Sequence, residues 1–256
     1  VLRRNATYRI TKTVHVSDDS GNPHDVYTAD LDIRRSIQNP KDFKEDIDTA
    51  TQWGKQEYKE WEHNGLTLQD KKIVEMYTKN AQPFNEYLRE QKGILGKDAI
   101  RDQEIKQLDE ALNKASLSED LVVYRGVDPI IFDKKFVPEL YLEAKANSPE
   151  RRIDTDIFRK LQSDLQKTSI KEYGYLSTSI TSLQQFSMRD VILEMNIPKG
   201  MHAGYVDPIS QYGQKHGGNQ LELLLPRSTE YVIRKMYIVV GKTTDKIRMV
   251  VDVKHK

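Results

Sequence analysis

Three segments of this chain carry polar side chains where a buried strand would be expected to carry apolar ones: residues 124–126, 173–179 and 219–226. Their chemically useful side chains are those of Arg125, Ser177, Ser179, Gln220 and Glu222. A guanidinium group binds two phosphate oxygens at once. A carboxylate can bind a sugar hydroxyl and stabilise positive charge on the adjacent carbon, while a serine hydroxyl fixes that carboxylate. This set of groups suits an anionic substrate that carries sugar hydroxyls.

Strand periodicity is the reason to expect these groups on one surface. Successive side chains of a strand point to opposite faces, so residues two apart share a face. Gln220 and Glu222 are therefore predicted to point the same way, with Leu221 on the opposite, core-facing side. Ser177 and Ser179 are likewise predicted to share a face, so that all these groups can converge on one cleft.

The elements that must position these residues follow a helix-then-strand order. Residues 43–115 carry apolar residues at helical spacing, with Gly65 and Pro83 at the boundaries between helices. From Leu121 onward, apolar runs bounded by turn residues predict strands, with one further helical stretch within residues 128–168. Because the chain lacks regular alternation of strand and helix, an α+β fold is expected.

The first 42 residues differ from the rest of the chain. Residues 8–16 alternate as a strand does, residues 17–23 are rich in turn formers, and residues 26–33 can return as a second strand. We therefore expect residues 1–42 to form an N-terminal extension with a hairpin, and residues 43–256 to form the main domain.

Composition argues against several classes of protein. The 40 Lys and Arg residues nearly balance the 39 Asp and Glu residues, so no general basic surface for nucleic acid is expected. The chain has no cysteine, which excludes disulfides and thiolate chemistry. No metal is expected, because the six histidines are scattered without a His-Glu-x-x-His motif. No apolar run approaches the roughly 18 residues of a membrane span.

The order of Arg125, the Ser-Thr-Ser run at 177–179 and the Gln-x-Glu at 220–222 resembles the Arg-Ser-Glu signature of bacterial mono-ADP-ribosyltransferase toxins. The sequence is most similar to the small C3-type exoenzymes that modify Rho GTPases, over roughly residues 43–253. The shared phrases lie at residues 77–79, 124–126, 173–179, 204–210 and 223–227. This resemblance implies the ADP-ribosyltransferase fold, with two packed, mostly antiparallel sheets around an NAD cleft and N-terminal helices beside them. Residues 43–256 would then be the catalytic domain.

The resemblance also implies catalytic roles. Glu222 would hydrogen-bond the nicotinamide ribose and stabilise the positive charge that develops as nicotinamide leaves. Ser177 would orient Glu222. Gln220 would recognise the acceptor side chain, which is an asparagine in this subfamily. Tyr212 lies in the loop that carries target recognition in the family, and could be its aromatic contact.

The cofactor-binding residues that the resemblance implies are Arg125, Gly126, Asn85, Arg89, Phe186 and Arg189. Arg125 would bind NAD phosphate or ribose, and the backbone of Gly126 would meet the nicotinamide amide. Arg89, four residues after an asparagine on the same helix face, would reach the pyrophosphate. Phe186 would stack on the cofactor and Arg189 would clamp it.

Partners and location follow from the same resemblance. It implies NAD as co-substrate, a Rho-family GTPase as protein substrate, and a secreted toxin that acts in the host-cell cytoplasm. Residues 1–42 could dock a separate translocation component or only add stability. Transfer to another protein such as actin, NAD hydrolysis alone, and a non-catalytic binding module remain alternatives. Actin-directed relatives usually carry Glu where Gln220 stands, which counts against that target.

Overall fold

The computed structural model describes residues 7–17, 23–32, 37, 39–129, 140–142, 150–182, 188–213, 216–218 and 220–254. The chain forms two compact units, Val1–Gln38 and Asn39–Lys256. The boundary lies slightly before the predicted one at residue 42. The reason is that Lys41 pairs with Leu121 and that the Asp42 carboxylate accepts a hydrogen bond from the Tyr124 hydroxyl.

The first unit contains the predicted hairpin. Its strands are β1 (Thr7–Ser17) and β2 (Pro23–Asp32), which pair antiparallel with Val14 opposite Val26. Most of the predicted turn, residues 18–22, lies outside the described residues. The alternating pattern of residues 8–16 predicted the first of these two strands.

Helices open the second unit, as the apolar spacing predicts. They are α1 (Ile47–Glu57), a π-helical turn (Trp61–Gly65), α2 (Leu68–Lys79), α3 (Gln82–Glu90), α4 (Ala99–Asn113) and, later in the chain, α5 (Thr155–Leu165). Helix α2 begins at a capping box, in which Thr67 and Asp70 each bind the other's backbone N–H. None of the described helices is long and apolar enough to cross a membrane.

The remaining strands follow, and most of them lie where the apolar runs predict. They are β3 (Leu121–Val127), β4 (Tyr141–Leu142), β5 (Arg152–Ile153), β6 (Ser169–Glu172), β7 (Leu176–Ser179), β8 (Val191–Ile197), β9 (Gly204–Tyr205), β10 (Glu222–Leu225), β11 (Thr229–Val239) and β12 (Lys246–Val253). Strands β4 and β5 pair only with each other, and the others form one sheet in the order β6-β11-β12-β8-β3-β7-β10-β9.

This single mixed sheet corrects the expectation of two packed sheets. The pairing of β12 with β8 is parallel, and the other pairings are antiparallel. One residue pair, Tyr124 opposite Ser179, joins the larger part of the sheet to strands β7, β10 and β9. A single residue pair therefore connects the two parts of the sheet, and this pair lies close in the chain to Arg125 and Ser177.

The core forms where the helices cover one face of the sheet. Strand β8 shows strict alternation, with Val191, Leu193, Met195 and Ile197 buried and the intervening residues half-buried. The helices reach the sheet through aromatic contacts, since the ring of Tyr77 lies 5.3 Å from that of Tyr175 and 5.5 Å from that of Phe84. Helices α2 and α3 are therefore fixed directly against the segment that leads into β7.

Candidate functional site

Glu222 is the first residue of β10 and is almost completely buried, at 5% exposure. The pairing of β10 with β7 places Glu222 opposite Ser179 and Leu224 opposite Ser177. Ser177 is therefore the diagonal neighbour of Glu222 across the pair, and its hydroxyl is hydrogen-bonded to the Glu222 carboxylate. The register brings together two of the predicted site residues.

The environment of Glu222 makes its carboxylate costly to ionise. Burial raises the pKa of Glu222 to about 7, and the nearby negative charge of Asp207 acts in the same direction. The hydrogen bond from Ser177 and the positive charge of Arg125 oppose this shift. A carboxylate held so far from water interacts strongly with any positive charge that arrives beside it.

A chain of hydrogen bonds runs from helix α3 to this carboxylate. Asn85 Nδ2 donates to the Tyr77 hydroxyl at 3.1 Å, and that hydroxyl is hydrogen-bonded to Ser177. When Glu222 is ionised it only accepts, so Ser177 donates to it and the single Ser177 proton is used there. The Tyr77 hydroxyl must then donate to Ser177, so that every donor in the chain points toward Glu222.

The Ser-Thr-Ser run divides its three hydroxyls among three tasks. Ser177 binds Glu222, while the Thr178 hydroxyl donates to the carbonyl of Leu223 on the neighbouring strand at 2.6 Å. The Ser179 hydroxyl accepts the Thr181 N–H at 3.2 Å and so holds the turn after β7. Of the two serines, Ser177 is thus the one that binds the Glu222 carboxylate, and Ser179 stabilises the turn.

Arg125 lies on β3, and its side chain contacts β7. Its Nη1 donates to the carbonyl of Ser177 at 2.6 Å, and Gly126 follows it in the strand with its backbone half-buried. Burial lowers the pKa of the Arg125 guanidinium, and the neighbouring Arg89 lowers it further, while Tyr77 and Glu172 oppose these effects. The positive charges of the two guanidinium groups therefore repel each other, and a bound anion would relieve that repulsion.

Asn85 and Arg89 lie on one face of α3, as predicted, but each already has protein partners. The Asn85 side chain is 7% exposed and holds the Tyr77 hydroxyl and the Tyr175 N–H. Arg89 is more exposed and pairs with Glu172 through two hydrogen bonds, of 3.0 and 3.2 Å. Asn85 therefore braces the site from within, whereas Arg89 lies at its edge.

Gln220 and Glu222 were predicted to point the same way because both would lie in one strand. That reason is wrong, because the strand does not include Gln220. Leu221 has a φ of 46°, in the left-handed region, so strand β10 begins only at Glu222. The Leu221 N–H donates to the Asp207 carboxylate at 3.0 Å and its carbonyl accepts from Ile180, contacts that offset the strain of this conformation. Gln220 is half-buried directly before this turn. Leu224, on the face of Glu222, is as fully buried as Leu223.

Two of the remaining predicted residues, Arg189 and Tyr212, are described and exposed, and together with Met188 we call them the rim. Arg189 is exposed and its Nη1 donates to both oxygens of Asp128, which follows β3. Tyr212 is half exposed, and its backbone N–H donates to the Ser210 hydroxyl. Phe186 lies outside the described residues.

Sequence reasoning missed Tyr77, Glu172 and Asp207 as members of this site. Tyr77 opens one of the phrases shared with the toxins, and Glu172 directly precedes another, so proximity to those phrases was the available signal. Asp207 had a similar signal within residues 204–210. The contacts that bring Tyr77 and Glu172 into the site, to Ser177 and Arg89, join residues far apart in the chain, so no local pattern identifies them.

The donor set fits a nucleotide better than a metal ion. Arg89 and Arg125 supply two guanidinium groups for phosphate oxygens, and Glu222 supplies a carboxylate for sugar hydroxyls. Within the part of the chain that the structure describes, no group of three or more His, Cys, Asp or Glu side chains could hold a metal ion.

The chain is similar to known proteins over most of its length. The family model described as ADP-ribosyltransferase exoenzyme matches residues 50–256. Mono-ADP-ribosyltransferase C3 of Clostridium botulinum D phage is 34% identical over 191 residues, which are 74% of this chain and 70% of that protein.

Two solved structures are similar over most of the chain. Plx2a, an ADP-ribosyltransferase toxin from Paenibacillus larvae, is 38% identical with a TM-score of 0.73, covering 84% of this chain and 99% of its own. C3stau2 from Staphylococcus aureus, solved with NAD, is 26% identical with a TM-score of 0.73, covering 86% of this chain and 100% of its own.

Proposed function

The chain belongs to the ADP-ribosyltransferase exoenzyme family and is a mono-ADP-ribosyltransferase of the C3 type, and from that premise we propose that it transfers ADP-ribose from NAD to an asparagine of a Rho-family GTPase. The observation that carries this proposal is the buried Glu222 carboxylate, held by Ser177 and close to Arg125. Secretion and action in the host-cell cytoplasm are part of the same proposal.

The cofactor side of the cleft is proposed to hold NAD by charge. Arg125 and Arg89 bind the phosphates, with Asn85 fixing the helix that carries Arg89, and the backbone of Gly126 meets the nicotinamide amide. Arg189 and Phe186 close over the cofactor from the rim. The crystal structure of C3stau2 with NAD supports this assignment, because that relative shares the fold over nearly its whole length.

The chemistry of transfer depends on Glu222. Bound NAD supplies the electrophile, since its bond to nicotinamide breaks with positive charge on the ribose carbon while the acceptor amide nitrogen takes the ribose and loses a proton. Glu222, ionised and fixed by Ser177, faces that charge in a site poor in water and stabilises it electrostatically. The positive charge of the nicotinamide ring also lowers the pKa of Glu222 when NAD binds, which keeps the carboxylate ionised.

Gln220 is proposed to orient the acceptor. An amide nitrogen is a weak nucleophile, so its position relative to the ribose carbon contributes much of the rate. The primary amide of Gln220 can donate to and accept from the acceptor asparagine at once. The left-handed turn at Leu221 fixes the direction in which Gln220 leaves the strand.

The proposal is tested by incubating the protein with labelled NAD and a host-cell lysate, followed by mass spectrometry of the labelled product. Label on an asparagine of a Rho-family GTPase is the expected result. Label on an actin arginine would overturn the target. Release of nicotinamide without any labelled protein would show that the reaction is NAD hydrolysis alone.

Gln220→Glu is the variant that tests the acceptor assignment in the same assay. A carboxylate cannot donate to the asparagine side chain, so transfer to the GTPase should fall about tenfold or more while much of the NAD hydrolysis remains. Unchanged asparagine modification would show that Gln220 does not read the acceptor.

We further propose that residues 1–42 serve as a docking segment for a separate translocation component. The compact unit Val1–Gln38 supports this, because its hairpin pairs within itself. Removal of residues 1–38 should leave NAD hydrolysis in solution intact. Loss of folding on that removal would assign the segment a structural role instead.

A further inference from the structure

Glu172, the last residue of β6, forms an ion pair with Arg89 through two hydrogen bonds at the edge of the site. We propose that Glu172 is a positioning residue, which orients Arg89 for the pyrophosphate of NAD and ties that orientation to the strand that carries Ser177. This inference rests on the proposed function, since it takes NAD as the ligand. It assigns a role to a residue that makes no contact with the reacting atoms.

The geometry of the pair fixes the direction of the guanidinium. Arg89 Nε donates to Glu172 Oε1 at 3.0 Å and Nη2 donates to Oε2 at 3.2 Å. A guanidinium has five N–H donors in a planar fork, so this side-on pairing leaves the Nη1–Nη2 end for a second anion. Arg89 is 45% exposed and Glu172 only 21%, so the carboxylate is the more fixed partner.

The same carboxylate also binds the turn that leads into β7. Glu172 Oε1 accepts the Gly174 N–H at 2.7 Å, and Asn85 Oδ1 accepts the next N–H, that of Tyr175, at 2.8 Å. A Cβ on Gly174 would lie 2.7 Å from Asn85 Oδ1, so the turn and the helix meet without room for a side chain. Two consecutive backbone amides are thus held by side chains, one by Glu172 of β6, which pairs with Arg89, and the next by Asn85 of α3.

The consequence is a mechanical link between two halves of the site. Arg89 and Asn85 lie one helical turn apart on α3, and Ser177 follows the turn that Asn85 holds directly and Arg89 contacts only through Glu172. If Arg89 swings away from Glu172, one of the two attachments of this turn loses its ordered partner. The phosphate side and the Glu222 side of the cleft are therefore aligned by the same carboxylate.

Charge supports this role as well. Arg89 and Arg125 repel each other, and Glu172 is among the groups that favour the charged form of Arg125. A single carboxylate beside two guanidinium groups leaves a net positive site for phosphate while it lowers their mutual repulsion. The opposite possibility is that Glu172 competes with phosphate for Arg89.

The experiment compares Glu172→Gln and Glu172→Asp with the wild type by NAD titration and by the kcat and KM of NAD hydrolysis. Glu172→Gln removes the charge at constant size, and Glu172→Asp keeps the charge but shortens the reach to Arg89 and Gly174. Both variants should weaken NAD binding and raise KM by about threefold to tenfold, as the guanidinium regains rotamer freedom, with a smaller change in kcat. Asp156→Asn, which breaks the exposed Arg159–Asp156 pair on α5, is the matched control and should leave NAD affinity unchanged.

A double-mutant cycle separates positioning from general damage to the fold. If Glu172 acts through Arg89, Glu172→Gln should add little to the loss caused by Arg89→Ala. Fully additive losses would overturn the inference, as would tighter NAD binding by Glu172→Gln alone, which would make Glu172 a competitor of phosphate. A wild-type chain that neither binds nor hydrolyses NAD would refute the proposed function itself, whereas a normal wild type with unaltered Glu172 variants would refute only this inference.

Discussion

The mostly buried part of the site, which we call the wall, consists of Tyr77, Asn85, Ser177 and Glu222. It differs from the rim in how its side chains are held. In the wall, Tyr77 is fully buried and Glu222 is 5% exposed, and each polar group has a partner from another element. In the rim, Met188 is 84% exposed and Tyr212 is 50% exposed. Arg189 there has an exposed carboxylate, that of Asp128, as its partner.

This difference separates two physical demands. Electrostatic stabilisation of a developing charge needs groups whose positions are fixed before the reaction, which only a buried and fully hydrogen-bonded wall supplies. Recognition of a second protein needs apolar and aromatic side chains that remain accessible to it. The wall is therefore expected to control the rate of bond cleavage, and the rim the choice of acceptor.

Removal of the negative charge of Glu222 is expected to have the largest effect. Glu222→Gln should lower both transfer and NAD hydrolysis by at least ~10²-fold, the loss typical of deleting one preorganised electrostatic group. Steady-state kinetics with saturating NAD measures it. Glu194→Gln is the matched control, since Glu194 is also a partly buried carboxylate of the sheet whose burial raises its pKa, beside Arg248. Equal losses in the two variants would mean that a general disturbance of the sheet, and not the charge of Glu222, accounts for the effect.

A second effect of the wall is a pH-dependent stability. The pKa of Glu222 is raised from 4.5 to about 7 in the folded state, so the folded chain binds more protons than the unfolded chain between these values. The contribution of Glu222 to stability therefore falls as pH rises from about 4.5 to 7, by about 3 kcal/mol. Chemical unfolding across this range should show that Glu222→Gln removes this slope and is more stable than the wild type above pH 7. Parallel profiles for the two proteins would refute the raised pKa.

The ionisation of Glu222 should also determine how NAD hydrolysis depends on pH. Because catalysis needs ionised Glu222, kcat/KM for NAD hydrolysis should rise with pH to a plateau above about 7, and bound NAD should move the corresponding pKa in kcat downward. A flat profile between pH 5 and 8 would contradict this account.

Tyr77→Phe tests the hydrogen-bond chain with a smaller change. The substitution removes the hydroxyl between Asn85 and Ser177, so Ser177 should hold Glu222 less firmly and kcat should fall about tenfold, with little change in KM for NAD. Tyr58→Phe is the control, because the Tyr58 hydroxyl is buried with no hydrogen-bond partner among the described residues. That variant should keep full activity. A Tyr77→Phe enzyme with wild-type kcat would show that the hydrogen bond from Tyr77 to Ser177 does not contribute to catalysis.

The smallest expected effect belongs to the rim. Tyr212→Ala should raise the KM for the GTPase by roughly threefold, as for a truncated peripheral contact, and leave NAD hydrolysis and thermal stability unchanged. Leu68→Ala on α2, where Leu68 is 82% exposed, serves as the control for loss of an exposed apolar side chain. A fall in NAD hydrolysis for Tyr212→Ala would show that the rim also supports the wall.

Local rules account for what could be predicted of the fold. The capping box at Thr67, the helical spacing of residues 43–115 and the alternation of β8 and β12 each depend on neighbours within a few residues. The exceptions in this part of the chain are β4, β5 and β6, which were not predicted because strands of two to four residues are too short to show a clear period. The family itself followed from the order of Arg125, the Ser-Thr-Ser run and Gln-x-Glu.

The sequence alone indicated which groups the candidate site would use, namely the Glu222 carboxylate, the Arg125 guanidinium and the Ser177 hydroxyl, and it excluded cysteine. How these groups meet follows from tertiary contacts. Arg125 and Ser177 are 52 residues apart, Asn85 and Tyr175 are 90, and the turn at Leu221 depends on a carboxylate 14 residues away. Such contacts carry no periodic signal, because their partners are selected by strand register and by packing of helices on the sheet. The pKa of Glu222 has the same origin, since burial is a property of the folded chain and not of any segment within it.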